Sequence, residues 1–260
     1  MKERADKLLG ARGLAPSREM ALALIMAGRV TSAGRPVRKP GDLLDADAAL
    51  EVAAVLPFVS RGGLKLAEAL DRFGLDVRGR VGLDIGASTG GFVDCLLPRG
   101  AARVYAVDVD TKQLDWNLTK DPRVVTIEKN ARELGPADLP EAPDIVTMDV
   151  SFISVLKILP ALRGVLDADA ELLVLVKPQF EVGRGQVGKG GLVKDQHLRQ
   201  EALARVALSC RELGYAVVGA CPSRIAGAAG NRELFLHLRA RGAGLQAAEI
   251  EAMATRAVEG

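Results

Sequence analysis

The stretch YAVVGACPSRIAGAAGNRELFLHLR, residues 215–239, decides how the sheet of this chain closes. Two apolar runs, YAVVGACP (215–222) and RELFLHLR (232–239), have the composition of strands. Between them lies only a loop rich in Gly, Ser and Asn, with no helical period. Two consecutive strands without a crossover helix pair antiparallel. A sheet built upstream from parallel strands therefore carries one reversed strand at its end. That pattern excludes the all-parallel sheet of a dinucleotide-binding dehydrogenase.

Upstream, strands do alternate with helices. RVGLDIG (80–86), ARVYAVDVD (102–110), RVVTIE (123–128), PDIVTMDV (143–150) and ELLVLV (171–176) read as strands. Helices are expected after STGG (88–91), from about Thr111, over SVLKILPALRGVL (154–166) and from about Asp195. A glycine-rich insertion, EVGRGQVGKGGLV (181–193), follows the fifth of these strands. Such alternation implies right-handed crossovers in a parallel sheet. Residues 1–60 read differently. Ser17 is a candidate N-cap, Ala21, Leu24 and Ile25 share a helical face, and Gly28 stops the helix. Short extended pieces around Gly and Pro turns follow (28–44), then a strand at AALEVAAV (48–55). The expected organisation is a small α+β module over 1–60, an α/β domain over 61–245 and a C-terminal helix or tail over 246–260.

Composition narrows the function classes. With 260 residues, 48% apolar and 26% charged, the chain has material for a sizeable core, and its net charge of +2 does not announce a polyanion partner. The first 40 residues do lean basic, and Arg4, Arg18, Arg29 and Lys39 are candidate RNA contacts there. Cys95, Cys210 and Cys221 show no CxxC spacing and only two histidines occur, so neither a metal site nor a disulfide framework is expected. MKERADKLLG has no apolar h-region, and no run approaches a membrane span, which points to the cytoplasm.

LDIGASTGGF (83–92) joins a strand to a helix. Gly86, Gly90 and Gly91 permit a tight turn that a ligand can approach. The spacing is GxxxGG rather than the GxGxxG that seats a pyrophosphate. Asp84, Gly86, Ala87, Ser88, Thr89 and Gly90 are thus candidate cofactor contacts. Asp108, one strand later, is placed to accept both ribose hydroxyls of an adenosine, and Asn130 is a candidate on the adenine side. A bland alternative is a plain turn whose helix is capped by Ser88 or Thr89. The glycine spacing and the reversed last strand favour S-adenosylmethionine and a class I methyltransferase, Rossmann-like sheet.

Ligands of open α/β sheets bind at the carboxyl ends of the parallel strands. Asp149 and Lys177 stand at two of those ends, and Glu233 starts the reversed strand at the same edge. A lysine after a sheet-centre strand needs partners. Asp149 could instead cap a helix after SFIS, and Glu233 could be a rim charge. Lys65, in SRGGLKL, could be a solvated helix lysine.

SRGGLKL (60–66), DIGASTGGF (84–92), DVSFIS (149–154), LVKPQFEVG (175–183) and the N-terminal RADKLLGARGLAPSREMALALIMAGRV (4–30) together resemble the TlyA family. These are ribosomal-RNA 2′-O-methyltransferases with an FtsJ/RrmJ-like catalytic domain. The resemblance spans residues 2 to about 239. It implies a catalytic Lys-Asp-Lys-Glu tetrad at Lys65, Asp149, Lys177 and Glu233, and an αL-type RNA-binding module over residues 1–60. It also implies ribosomal subunits as partners. Two stretches depart from the family pattern: Pro57-Phe58-Val59 before SRGG, and VDVDTKQLDWNL (107–118) after the second sheet strand. Burial and a second lysine favour a neutral, proton-accepting Lys177, whereas the two carboxylates favour a charged, orienting one, so both roles stand. The competing classes are a non-catalytic RNA-binding or ribosome-assembly protein on the same fold, and a haemolysin.

Overall fold

The computed structural model describes residues 2–26, 28–52, 57–227 and 230–260. Backbone contacts divide the chain into two compact units, Met1–Leu56 and Pro57–Gly260.

The first unit opens with β1 (Lys2–Arg4), α1 (Ala5–Ala11) and α2 (Arg18–Met26). Ser17 Oγ accepts the Met20 N–H, and Gly28, at φ +67°, ends α2 as its spacing predicts. β2 (Val30–Ser32), β3 (Arg35–Pro36), β4 (Leu43–Asp45) and β5 (Leu50–Val52) follow. β2 lies between β3 and β5 in one antiparallel sheet, and β1 pairs with β4 in another. The strand expected over 48–55 is seen at Leu50–Val52, and residues 53–55 lie outside the described residues. Ala5, Leu9, Ala21, Leu24, Ile25 and Val30 form the core of this unit.

The second unit begins with α3 (Arg61–Phe73), capped by Ser60 Oγ on the Gly62 N–H and ended by Gly74 at φ +65°. β6 (Val81–Ile85), α4 (Gly91–Leu96), β7 (Arg103–Asp108), α5 (Trp116–Lys120), β8 (Val124–Glu128) and β9 (Ile145–Met148) follow. Then come α6 (Leu159–Leu162), β10 (Glu171–Val176), α7 (Pro178–Glu181), α8 (Gln196–Glu212), β11 (Ala216–Pro222), β12 (Leu234–Arg239) and α9 (Ala247–Glu259). The sheet order is β11-β12-β10-β9-β6-β7-β8. β12 is antiparallel to both β10 and β11, while the pairs from β10 to β8 are parallel. The reversed strand expected from residues 215–239 is therefore present, slotted between two neighbours rather than along the sheet margin.

β10 shows why its sequence is continuously apolar. Leu172, Val174 and Val176 join one buried cluster with residues of α8 and α9, while Leu173 and Leu175 join the opposite cluster with α3 and α4. A strand covered on both faces has no polar face to show.

Two expected helices are broken. The one from Thr111 is a 3₁₀ turn, Thr111–Gln113, followed by the separate α5. Asp110 accepts the Lys112 N–H and Asp115 accepts the Asn117 N–H, so a second cap restarts the helix. The segment 154–166 is likewise a 3₁₀ turn, Val155–Lys157, and the short α6, because Pro160 cannot donate a backbone hydrogen bond.

Candidate active site

Four chain ends meet at one sheet edge: β6 leaves into Gly86, β7 ends at Asp108, β9 leaves into Asp149 and β10 into Lys177. The turn after β6 is tight. Gly86 has φ +82°, and a Cβ there would lie 2.6 Å from the Asp149 carbonyl oxygen. Gly90, at φ +91°, is itself the N-cap of α4, and its missing Cβ leaves room for Leu118 and Leu114. Neither Ser88 nor Thr89 caps α4. Instead the Ser88 N–H, at a left-handed φ of +47°, donates to Asp108 Oδ2 at 2.9 Å. The Asp110 N–H donates to Asp108 Oδ1 at 3.1 Å, which fixes that carboxylate at the mouth of the turn.

Two cavities share this turn. The larger, about 570 Å³, is lined by Gly86, Ser88, Asp108, Asn130, Asp149 and Ser151 among others. Asn130 Oδ1 caps the following 3₁₀ turn by accepting the Arg132 N–H. The smaller, about 280 Å³, also contains Gly86, Ser88, Asp149 and Ser151, and adds Lys65, Asp84, Ala87, Thr89 and Lys177.

The charged residues form two ion pairs. Lys177 Nζ lies 2.6 Å from Asp149 Oδ1 and donates to Ser151 Oγ at 2.8 Å. Lys65 Nζ donates to Glu233 Oε2 at 2.6 Å. Lys65 and Lys177 are each 8% exposed and Glu233 only 2%, so these are neither solvated lysines nor a rim charge. Asp149 caps no helix, since Ser154 Oγ takes the Leu156 N–H of the next turn. Ser151 was not singled out by the sequence. Nor was Glu181, whose buried carboxylate accepts from Ser154 Oγ and the Val155 N–H and so ties the 149–155 loop to α7.

Asp84 is buried beneath the turn. Its Oδ1 accepts from Thr147 Oγ1 at 2.7 Å, while Oδ2 has no partner among the described residues. Burial pushes this carboxyl up to about 7, with the charges of Asp149 and Asp108 acting in the same direction. A cavity floored by an under-satisfied carboxylate and flanked by Asp149 suits a ligand carrying positive charge. S-adenosylmethionine has an ammonium and a sulfonium, and its ribose suits Asp108, so the residues present fit it.

The candidate RNA contacts in the first unit do not form one set. Arg4 donates from Nε and Nη2 to Asp6 at 2.9 and 2.8 Å, and Arg18 Nε reaches the same carboxylate at 3.4 Å. Asp6 is buried, and the Arg4 hydrogen bond holds it down at about 2. Lys39 is exposed and Arg29 half-buried, and neither side chain shares that partner. Among the described residues no group of three or more His, Cys, Asp or Glu could hold a metal ion, and no helix is long and apolar enough to cross a membrane. The three cysteines are buried and free, and burial pushes their thiols up to about 11 or 12.

Comparison with known proteins matches residues 58–240 to the FtsJ-like methyltransferase family and residues 3–50 to the S4 domain. A Mycobacterium tuberculosis protein named 16S/23S rRNA (cytidine-2′-O)-methyltransferase TlyA is 48% identical over 92% of this chain and 90% of its own. A solved Streptococcus thermophilus structure, assigned as a hemolysin, is 40% identical with a TM-score of 0.76, covering 99% of this chain and 96% of that one. At the level of fold alone, a solved Listeria monocytogenes chain assigned as an S-adenosylmethionine-dependent methyltransferase matches with a TM-score of 0.51 at 14% identity. It covers 68% of this chain and 98% of that one.

Proposed function

The chain belongs to the FtsJ-like methyltransferase family, in its TlyA group, and on that premise we propose that it methylates a ribose 2′-hydroxyl of ribosomal RNA within a ribosomal subunit. It is an S-adenosylmethionine-dependent methyltransferase. When bound, S-adenosylmethionine supplies a methyl group on a sulfonium, activated for in-line displacement.

What carries the reading is that Lys65, Asp149 and Lys177 line one cavity, which shares the glycine turn with the cleft bounded by Asp108. A ribose hydroxyl is a weak nucleophile, and two tethered amines answer its two needs, orientation and stabilisation of the oxygen as it takes the methyl group and gives its proton to water. In this reading Lys177, held by Asp149 and Ser151, contacts the 2′-oxygen, and Lys65, on α3 and held by Glu233, steadies the ribose. Asp84, Gly86, Ala87, Ser88, Thr89, Gly90, Asp108 and Asn130 form the cofactor side. Residues 1–60 dock RNA through phosphate contacts, residues 61–245 carry out the transfer, and residues 246–260 cover the sheet. The reading places the protein in the cytoplasm with the ribosomal subunits it modifies.

The test is incubation with methyl-labelled S-adenosylmethionine and isolated ribosomal subunits, followed by mapping of the label. The expected result is label on a ribose 2′-oxygen of one rRNA. Absence of label from both subunits and from free rRNA would overturn the reading and favour an RNA-binding or assembly role.

A further inference from the structure

Beyond Glu233, away from the two cavities of the turn, lies a third cavity of about 330 Å³. Arg199 of α8, Arg224 after β11 and Arg232 before β12 all line it, together with Glu233 and Glu259. Glu233 already satisfies Lys65. Arg224 and Arg232 are exposed, and neither takes part in an ion pair among the described residues.

Arg199 is built into this place. It is 7% exposed, and its Nη1 donates to the Val193 and Lys194 carbonyls at 3.1 and 2.6 Å. Its Nε is buried and has no partner among the described residues. Burial first, and then the charge of Arg232, hold this guanidinium below its ordinary value, with Asp195 opposing. A buried donor left unpaired beside a second guanidinium is costly unless an anion joins them. The surrounding chain is fastened to match. Asn231, next to Arg232, accepts the Val193 N–H at 3.1 Å and donates to the Gly191 carbonyl at 2.8 Å.

We propose that the cavity of Arg199, Arg224 and Arg232 is a phosphodiester site that grips the RNA strand beside the nucleotide whose ribose enters the Lys65–Lys177 cavity. The assignment rests on the reading of the protein as an RNA 2′-O-methyltransferase. Glu233 joins the two places, because the residue that holds Lys65 also walls the arginine cavity. A phosphate there fixes the strand against the catalytic cavity independently of the N-terminal unit, and guanidinium forks suit its geometry.

The test uses the full-length chain and the double variant Arg224→Gln/Arg232→Gln, whose exposed side chains leave the packing unchanged. Binding of a labelled single-stranded RNA oligonucleotide is followed by anisotropy across a salt series. The variant should bind several-fold more weakly, and its salt slope should fall by about 0.7, the value for the one phosphate this site would neutralise on a single strand. Its KM for ribosomal subunits should rise while affinity for S-adenosylmethionine holds. Unchanged RNA affinity and salt slope would overturn the proposal. So would tight binding of inorganic phosphate alone, lost in the same variant, since that marks a site for a free anion. Failure of the wild-type protein to label any rRNA would remove the methyltransferase reading instead, and the anisotropy comparison would still decide whether these arginines hold an RNA phosphate.

Discussion

Lys177 Nζ lies 2.6 Å from Asp149 Oδ1, and the two residues leave adjacent parallel strands at the same sheet edge. The pair is therefore set by backbone topology, and deleting the amine leaves the glycine turn after β6 intact. Lys177→Ala should lower methyl transfer by at least about a hundredfold, the usual scale for losing a group that orients or deprotonates the nucleophile. Affinity for S-adenosylmethionine, measured by calorimetry, should stay near wild type. Loss of cofactor binding would show instead that Lys177 holds the site together.

Glu233 rests its carboxylate against the bare Cα of Gly227, where an added Cβ would overlap Oε1. An added methyl group pushes on the carboxylate whose Oε2 accepts from Lys65. Gly227→Ala should therefore reduce kcat by about ten- to a hundredfold, as a displaced positioning contact does. KM for S-adenosylmethionine should change little, because Glu233 lines neither cavity of the glycine turn. Wild-type kcat in this variant would mean that the Lys65–Glu233 pair is dispensable.

These two residues also mark what the sequence could and could not convey. Lys177 stood out because a lysine closing an apolar strand has few bland explanations, and the reversed β12 followed from a missing crossover helix. Gly227 and Ser151 gave no signal, because a loop glycine or serine has no periodicity and acquires meaning only from a partner distant in the chain. The pairing of Lys2–Arg4 with Leu43–Asp45 was hidden for the same reason: both strands have three residues, and neither reads as strand locally. The broken helices at 111–120 and 155–162 turn on caps and a proline, which the apolar period overrode in the reading of the sequence.

Asp84 ties stability to pH in a direction that can be worked out. Its carboxyl is raised in the folded protein to about 7 by burial, against an unfolded value near 4. Between those values the folded state binds more protons than the unfolded one, so stability falls as pH rises. The penalty is absent below about pH 4 and complete above about pH 7, on the order of a few kcal/mol. Asp84→Asn should then melt higher than wild type at pH 8 and nearly together with it at pH 4, while losing affinity for S-adenosylmethionine. A variant that melts lower at pH 8 would show that the Thr147 hydrogen bond outweighs the burial of charge.

Asp6 works in the opposite sense. Arg4 hydrogen bonds hold its carboxyl at about 2, below the unfolded value, so the pair contributes stability above about pH 4 that disappears as pH falls through 2. Asp6→Ala should speed hydrogen exchange of the α1 and α2 amides at pH 7 and lose that difference near pH 2. The same geometry separates the four basic candidates of the first unit. Arg4 and Arg18 share Asp6, so replacing either with Gln should raise exchange in α1 as well as weaken RNA binding. Arg29→Gln and Lys39→Gln should weaken RNA binding alone, each lowering the salt slope by about 1. If Arg4→Gln leaves exchange unchanged, its hold on Asp6 is incidental, and its place is with the RNA contacts.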